Sequence, residues 1–135
     1  MSEKPPKTIR VVAAVIERDG RYLITQRRPN AVLPMLWEFP GGRCEEGESD
    51  EEALRREVDE RLGAQVNVAE RWVSFTSATY EKYTVDFYLY ECELLSDALS
   101  CRAVHDFRWV RSDEFDNYDF TPVDEASINQ LLGET

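Results

Sequence analysis

The chain reads as an α+β protein, with helices layered on a sheet in an α/β/α order. Three observations point there. Segments rich in Val, Ile and aromatic residues, at Ile9–Glu17, Tyr22–Gln26, Gln65–Ala78 and Tyr83–Leu94, carry strand character. Leu54, Val58 and Leu62 recur every four residues and mark the apolar stripe of a helix between them. Turn and capping residues punctuate the boundaries at Asp19-Gly20, Ser49, Gly63 and Thr121-Pro122.

Met1 to Thr8 holds Pro5, Pro6 and several charged residues and is expected to be a loose tail, with one domain filling residues 9–133. Ile9 to Glu17 is the first strand. Arg18-Asp19-Gly20-Arg21 carries the Asp-Gly hairpin signal, and Tyr22 to Gln26 is the return strand. Arg27-Arg28-Pro29 ends it. Pro29 to Met35 reads as a loop, a natural rim for a cleft. Leu36 to Phe39 is a short strand that Pro40-Gly41-Gly42 stops, the two glycines allowing backbone conformations closed to other residues. Ser49 followed by Glu52 is the capping-box pattern, and Gly63 stands where a helix end wants a left-handed residue. A helix is therefore expected over Asp50 to Leu62.

Gln65 to Ala78 is a long strand whose phase shifts near Ala69-Glu70-Arg71, the mark of a bulge. Thr79 to Lys82 is a turn. Tyr83 to Leu94 alternates Val85, Phe87 and Leu89 with Asp86, Tyr88 and Tyr90, and aromatics on both faces place it inside a sheet. Ser96 to Arg102 connects to a strand at Phe107–Val110, and Ser112 to Phe115 opens a short helical turn. Thr121 as N-cap and Pro122 at the first helical position begin a second helix that runs to Leu132.

At 135 residues the chain is one domain with room for a core. Its net charge of −11 argues against a nucleic-acid polymer as partner, which needs a basic patch, but not against a nucleotide held by a few arginines. No apolar run reaches membrane length and no leader segment is visible, so a cytoplasmic protein without a membrane partner is expected. Cys44, Cys92 and Cys101 are odd in number, lack metal-ligand spacing and suit a reducing compartment. Cys44 lies in the glycine loop, a position that invites a redox role, but a lone thiol there is read as an ordinary free cysteine. His105 reads as a loop or strand-end residue rather than a catalyst.

The chemistry is carried by the other face of the first helix. Glu57 and Glu60, three residues apart, share a face; Glu48 precedes the helix and Arg56 belongs to the same set. Two carboxylates ~4 Å apart repel by about 4 kcal/mol at an effective dielectric of 20, and a divalent cation removes that cost. Hard oxygen ligands suit Mg2+ or Mn2+, which also bridge to substrate phosphates. The Gly41-Gly42 backbone can approach phosphates or metal closely. The plainer reading is a set of surface salt bridges, Arg56 with Glu60 and Glu57 with Arg61, worth ~0.3–0.5 kcal/mol each.

Taken together, Gly42, five residues, Glu48, seven residues, Arg56-Glu57-Val58, Asp59, Glu60-Arg61, Leu62 and Gly63-Ala64 resemble the Nudix box, Gly-x5-Glu-x7-Arg-Glu-U-x-Glu-Glu-x-Gly-U, where U is apolar. One fixed position differs: the second glutamate of the pair is Arg61. The flanking segments resemble the MutT-type branch, which hydrolyses nucleoside triphosphates, oxidised purine ones among them. The similarity covers nearly the whole chain after its first eight residues.

The resemblance implies a Nudix sandwich with a mixed sheet, and divalent-metal-dependent hydrolysis of a nucleoside-diphosphate-linked bond, releasing NMP and pyrophosphate. It implies metal held by Glu57, Glu60 and the Gly41 carbonyl, with Glu57 also the base. Arg56 and Glu48 join Glu57 as the catalytic set by pairing to hold the loop on the helix; the alternative is that they are merely solvated. Arg27, Phe39, Gly42 and Asp124 are the expected substrate contacts. For Arg27 the alternative is an exposed arginine, for Trp37 and Phe39 plain core aromatics, and for Asp124 a first-turn acid favoured by the helix dipole. A late metal-binding glutamate of the family falls near Ala103 here. Glu45, Glu46 or Asp106 would have to compensate, or Arg61 would bind a phosphate directly and reduce the number of metals. A nucleotide sensor without turnover and a nucleotide-sugar or dinucleotide pyrophosphatase are the alternative functions; monomer and homodimer both stay open.

Overall fold

The computed structural model describes residues 7–132. Its elements are β1 (Lys7–Val15), β2 (Glu17–Arg18), β3 (Arg21–Gln26), β4 (Trp37–Glu38), β5 (Gly41–Arg43), α1 (Asp50–Leu62), β6 (Val66–Thr79), β7 (Tyr83–Leu94), β8 (Asp106–Val110), a 3-10 helix (Ser112–Asn117) and α2 (Pro122–Leu131). One sheet runs in the order β5-β1-β7-β6 and is mixed, because β1 pairs parallel with β7 while β5 and β6 run antiparallel to their neighbours. In the second sheet β3 is central, with β8 along one edge and β2 and β4 sharing the other.

Two cores lie on the two faces of the mixed sheet. Val12 and Ala14 of β1 face α1, where Leu54, Val58 and Leu62 are fully buried with Val66, Tyr90 and Cys92. Ala13 and Val15 face the opposite side, packing with Phe87, Leu89, Ile24, Phe39, Phe115 and Ile128 of α2. Each large apolar side chain so buried stabilises the fold by ~1.5–3 kcal/mol relative to leaving it exposed. The expected α/β/α layering and mixed sheet are therefore observed, and β7 is an interior strand as its two apolar faces indicated.

Helix α1 begins as its sequence specifies. Ser49 Oγ accepts from the Glu52 N–H at 3.1 Å, and Glu52 Oε1 accepts from the Ser49 N–H at 3.0 Å. Gly63 ends it with φ 65°. Arg10 of β1 clasps Asp50 with two 2.7 Å hydrogen bonds, and the Tyr90 hydroxyl of β7 donates to the same carboxylate. The first turn of α1 is thus anchored to both central strands. The Arg10 guanidinium holds the Asp50 carboxyl below its ordinary range.

The differences from expectation have identifiable causes. β1 starts at Lys7, inside the stretch expected to be tail, because its parallel ladder continues to Lys7 opposite Tyr83 at the start of β7. Residues 1–6 of that tail, and Gly133 at the expected domain end, lie outside the described residues. β1 also closes at Val15, where the chain turns into β2, rather than running to Glu17. Gly41-Gly42, expected to interrupt extended structure, form β5 beside β1. Neither glycine has a positive φ. Their requirement is space: a Cβ on Gly41 would fall 2.0 Å from the Val12 carbonyl oxygen. The bulge in β6 is present, as the register against β7 shifts between Val68 and Trp72 and again before Ser74. Asp19 (φ 54°) and Gly20 (φ 76°) both adopt positive φ, as a two-residue type I′ hairpin requires.

Candidate active site

The segment from Gly41 to Glu48 returns from β5 to α1, and Arg56 fastens it there. Its Nε and Nη2 grip Glu48 at 2.8 and 2.9 Å, and Nη2 also donates to the Arg43 carbonyl at 2.9 Å. The Glu45 N–H donates to Glu48 at 2.8 Å. These contacts hold the Glu48 carboxyl at about 2, the Arg56 pairing first and the backbone donor second. The Arg56 guanidinium in turn holds its proton more tightly than an ordinary arginine, chiefly through Glu48.

Glu57 is the most enclosed carboxylate of the helix, 9 % exposed. It lies beneath Gly42, where a Cβ would meet Glu57 Oε2 at 2.2 Å. One Glu57 oxygen accepts from Arg56 Nη1 at 2.7 Å and the other from Arg61 Nε at 2.9 Å. Glu60 is more exposed and accepts from Arg56 Nη1 at 3.3 Å. Glu45 approaches the same nitrogen at 3.8 Å. Glu57 and Glu60 therefore converge on one point of Arg56, with Gly42 close above.

The line of charges continues into the second sheet. Arg61 Nη1 lies 3.9 Å from Glu38 Oε2, and Arg27 Nη1 donates to Glu38 Oε1 at 2.8 Å. Arg27 also donates from Nε to the Val32 carbonyl at 2.6 Å, holding the middle of the 29–35 loop. The result is an alternating ladder: Glu48, Arg56, Glu57, Arg61, Glu38, Arg27. Sequence reasoning missed Glu38. The available signal was a carboxylate between two aromatics in a short strand, directly ahead of the glycine loop.

The remaining expected contacts lie in different settings. Phe39 is 2 % exposed, with its ring centroid 6.3 Å from those of Phe115 and Phe120, so it forms the wall behind the site rather than its surface. Trp37 is likewise packed, edge-on to Tyr118 at 5.1 Å. Asp124 is 3 % exposed, and the Phe39 N–H donates to it at 3.0 Å while the Thr121 hydroxyl donates to its other oxygen. It joins α2 to the strand entering the glycine loop. Burial, then the nearby Glu38 charge, raise the Asp124 carboxyl well above its ordinary value. A cavity of about 660 Å³ lined by Val15, Tyr22, Phe39, Phe115 and Leu131 lies behind this wall and contains none of the helix carboxylates. Asp106 is paired with Arg108 at 3.0 Å. Ala103 sits at the C-terminal end of α1, its N–H donating to the Arg61 carbonyl at 3.2 Å. Burial raises the Cys44 thiol to about 11, with the Asp50 charge adding to it, so Cys44 is not a reactive thiolate.

The donor set suits one divalent cation in kind. Glu57 and Glu60 supply hard oxygens, each carboxylate keeps lone pairs beyond those used by arginine, and the missing side chain of Gly42 lets the Glu57 carboxylate lie directly against the loop backbone. Among the described residues no group of three or more His, Cys, Asp or Glu side chains is arranged to hold an ion, because guanidinium groups stand between the carboxylates.

Residues 11–130, which include this loop and helix, match the NUDIX domain, and the chain belongs to the Nudix hydrolase family. Among named relatives it is 31 % identical over 131 residues to an 8-oxo-dGTP diphosphatase of Haemophilus influenzae, covering 96 % of this chain and 95 % of that one. It is 50 % identical over 64 residues to a CTP pyrophosphohydrolase of Escherichia coli, a match spanning 47 % of each chain. The solution structure of the E. coli ORF135 protein superposes with a TM-score of 0.80 at 29 % identity, covering 95 % of this chain and 91 % of that one.

Proposed function

We propose that the protein hydrolyses a nucleoside triphosphate to NMP and pyrophosphate, using Mg2+ or Mn2+. The observation that carries this reading is Glu57, sheltered beneath Gly42 and clamped from both sides by guanidinium groups. The names of the relatives, a diphosphatase, a pyrophosphohydrolase and a nucleoside triphosphatase, support the substrate class.

Glu57, Glu60 and the Gly41 carbonyl would hold the metal. Bound there, it supplies Lewis-acid polarisation of a phosphoryl oxygen and a water of lowered pKa. The residues of the chain supply the positioning on which phosphoryl transfer mainly depends. Glu57 takes the proton of the attacking water at a carboxylate oxygen. Arg56 and Glu48 keep the loop backbone at Gly42 close to the phosphates. Arg27 offers a guanidinium to the nucleotide, and Phe39 with Asp124 shapes the wall beside the base.

A nucleotide panel with Mg2+ or Mn2+ tests this, with phosphorus NMR reading the products. NMP plus pyrophosphate is expected from a nucleoside triphosphate. Cleavage of a nucleotide sugar or dinucleotide alone would move the substrate class. A sensor is the second reading, favoured specifically by the neutralisation of Glu57 by Arg61. Thermal stabilisation by nucleotide without product would decide for it.

A further inference from the structure

Arg61 stands between two carboxylates that come from different elements. Its Nε is 2.9 Å from Glu57 Oε2 on α1, and its Nη1 is 3.9 Å from Glu38 Oε2 on β4. All three are largely enclosed: counting side-chain atoms alone, Arg61, Glu57 and Glu38 are 24, 12 and 11 % exposed. The Arg61 backbone is fixed as well, since its carbonyl accepts from the Arg102 and Ala103 N–H groups at 3.0 and 3.2 Å. Two sheltered carboxylates facing one point repel unless a cation lies between them, and the energy of that repulsion grows as water is excluded. In this protein the cation is covalently part of the chain.

We infer that Arg61 is a resident cation that takes the place of one divalent ion, bridging Glu57 to Glu38 and holding the centre assembled before any metal binds. Arg61 is a positioning residue here, acting through the two carboxylates. Its charge limits the number of ions that the carboxylates accept and weakens their hold on the one they do. The inference rests on the reading of Glu57 as a metal ligand.

The test is Mn2+ titration of the full chain, followed by electron paramagnetic resonance, for wild type, R61Q and R61K, with thermal midpoints measured in EDTA and in excess Mn2+. R61Q is expected to bind Mn2+ at least tenfold more tightly or to gain an additional equivalent. R61K, which keeps the charge, stays within about threefold of wild type. In EDTA the R61Q midpoint falls below that of wild type, and Mn2+ restores it. A structural salt bridge alone would not make the lost stability recoverable by metal. E38Q relieves the repulsion from the far side, so the R61Q/E38Q double variant is expected to regain part of the midpoint in EDTA. Equal Mn2+ binding by wild type and R61Q, or a midpoint that Mn2+ does not restore, would overturn the inference while leaving metal-dependent turnover in the nucleotide panel intact. R61K behaving as R61Q would also overturn it. Absence of Mn2+ binding in every variant would overturn it together with the metal reading.

Discussion

At Gly42 a methyl group would fall 2.2 Å from Glu57 Oε2, whereas at Gly41 it would fall 2.0 Å from the Val12 backbone oxygen. The two glycines therefore fail differently when substituted. Against Gly42→Ala a side-chain carboxylate rather than the backbone gives way, at the expense of its two guanidinium contacts, so stability should fall by about 1 kcal/mol while kcat/KM falls by roughly 100-fold, the usual cost of displacing a reacting group by an ångström. Against Gly41→Ala the strand itself must move, and a loss of ~1–3 kcal/mol is expected from denaturant midpoints. Equal effects of both changes on activity and stability would contradict this division. Glu57→Gln should lower kcat by ~10²–10⁴-fold, the range for a general base, and turnover within a few-fold of wild type would remove that role. Glu57, Arg56 and Glu48 were legible because their meaning lies in spacing along one helix and its loop. Glu38 was not, because its partners Arg27 and Arg61 reach it only after β3, β4 and α1 have packed together. The true reason for Gly41 and Gly42 was equally hidden, since the sequence does not name what each glycine faces.

Helix α1 and the loop before it were the most legible elements. The capping box, the apolar stripe and the terminal glycine are all local, and local rules suffice for them. The union of loop and helix through Glu48 and Arg56 has a pH signature. The folded Glu48 carboxyl, at about 2, lies below its ordinary 4.5, so the unfolded chain takes up the proton first. Its stabilising contribution is fully present above about pH 4.5 and is lost as the pH falls toward 2. Glu48→Gln should flatten that part of the stability-versus-pH curve, measured by urea unfolding at stepped pH. An unchanged slope would show that the clasp forms equally in the unfolded chain or contributes nothing. Strand β5 was illegible for the opposite reason: three residues with two glycines have no strand signature, and only the open edge of β1 makes them one.

Across the whole molecule, the interior of the mixed sheet carries the cooperative structure. β1 and β7 pair along all of β1, and from Val12 to Val15 and from Phe87 to Tyr90 both faces are packed against the two cores. Their amides, from Val12 to Val15 and from Phe87 to Tyr90, should exchange with deuterium most slowly, at the free energy of global unfolding. The stretch Ala69–Arg71, where β6 slips against β7, should exchange orders of magnitude faster. Mass spectrometry of exchanged peptides distinguishes the two, and uniform protection across β6 would contradict the expectation. Layering and strand character were legible from apolar patterning, but the parallel pairing of β1 with β7 was not. It joins segments more than 70 residues apart through backbone groups that every residue shares.

The burial of every side chain from Val12 to Ile16 changes what a registration error would mean for β1. In a strand with one wet face, slipping by one residue throws oil into water and corrects itself. Here such a slip only exchanges one dry compartment for the other, offering Val12 to the chamber shaped for Ala13. Discrimination must then come from shape. Gly41, which alone can lie against the Val12 carbonyl, acts as the notch that tells the strand where to stop.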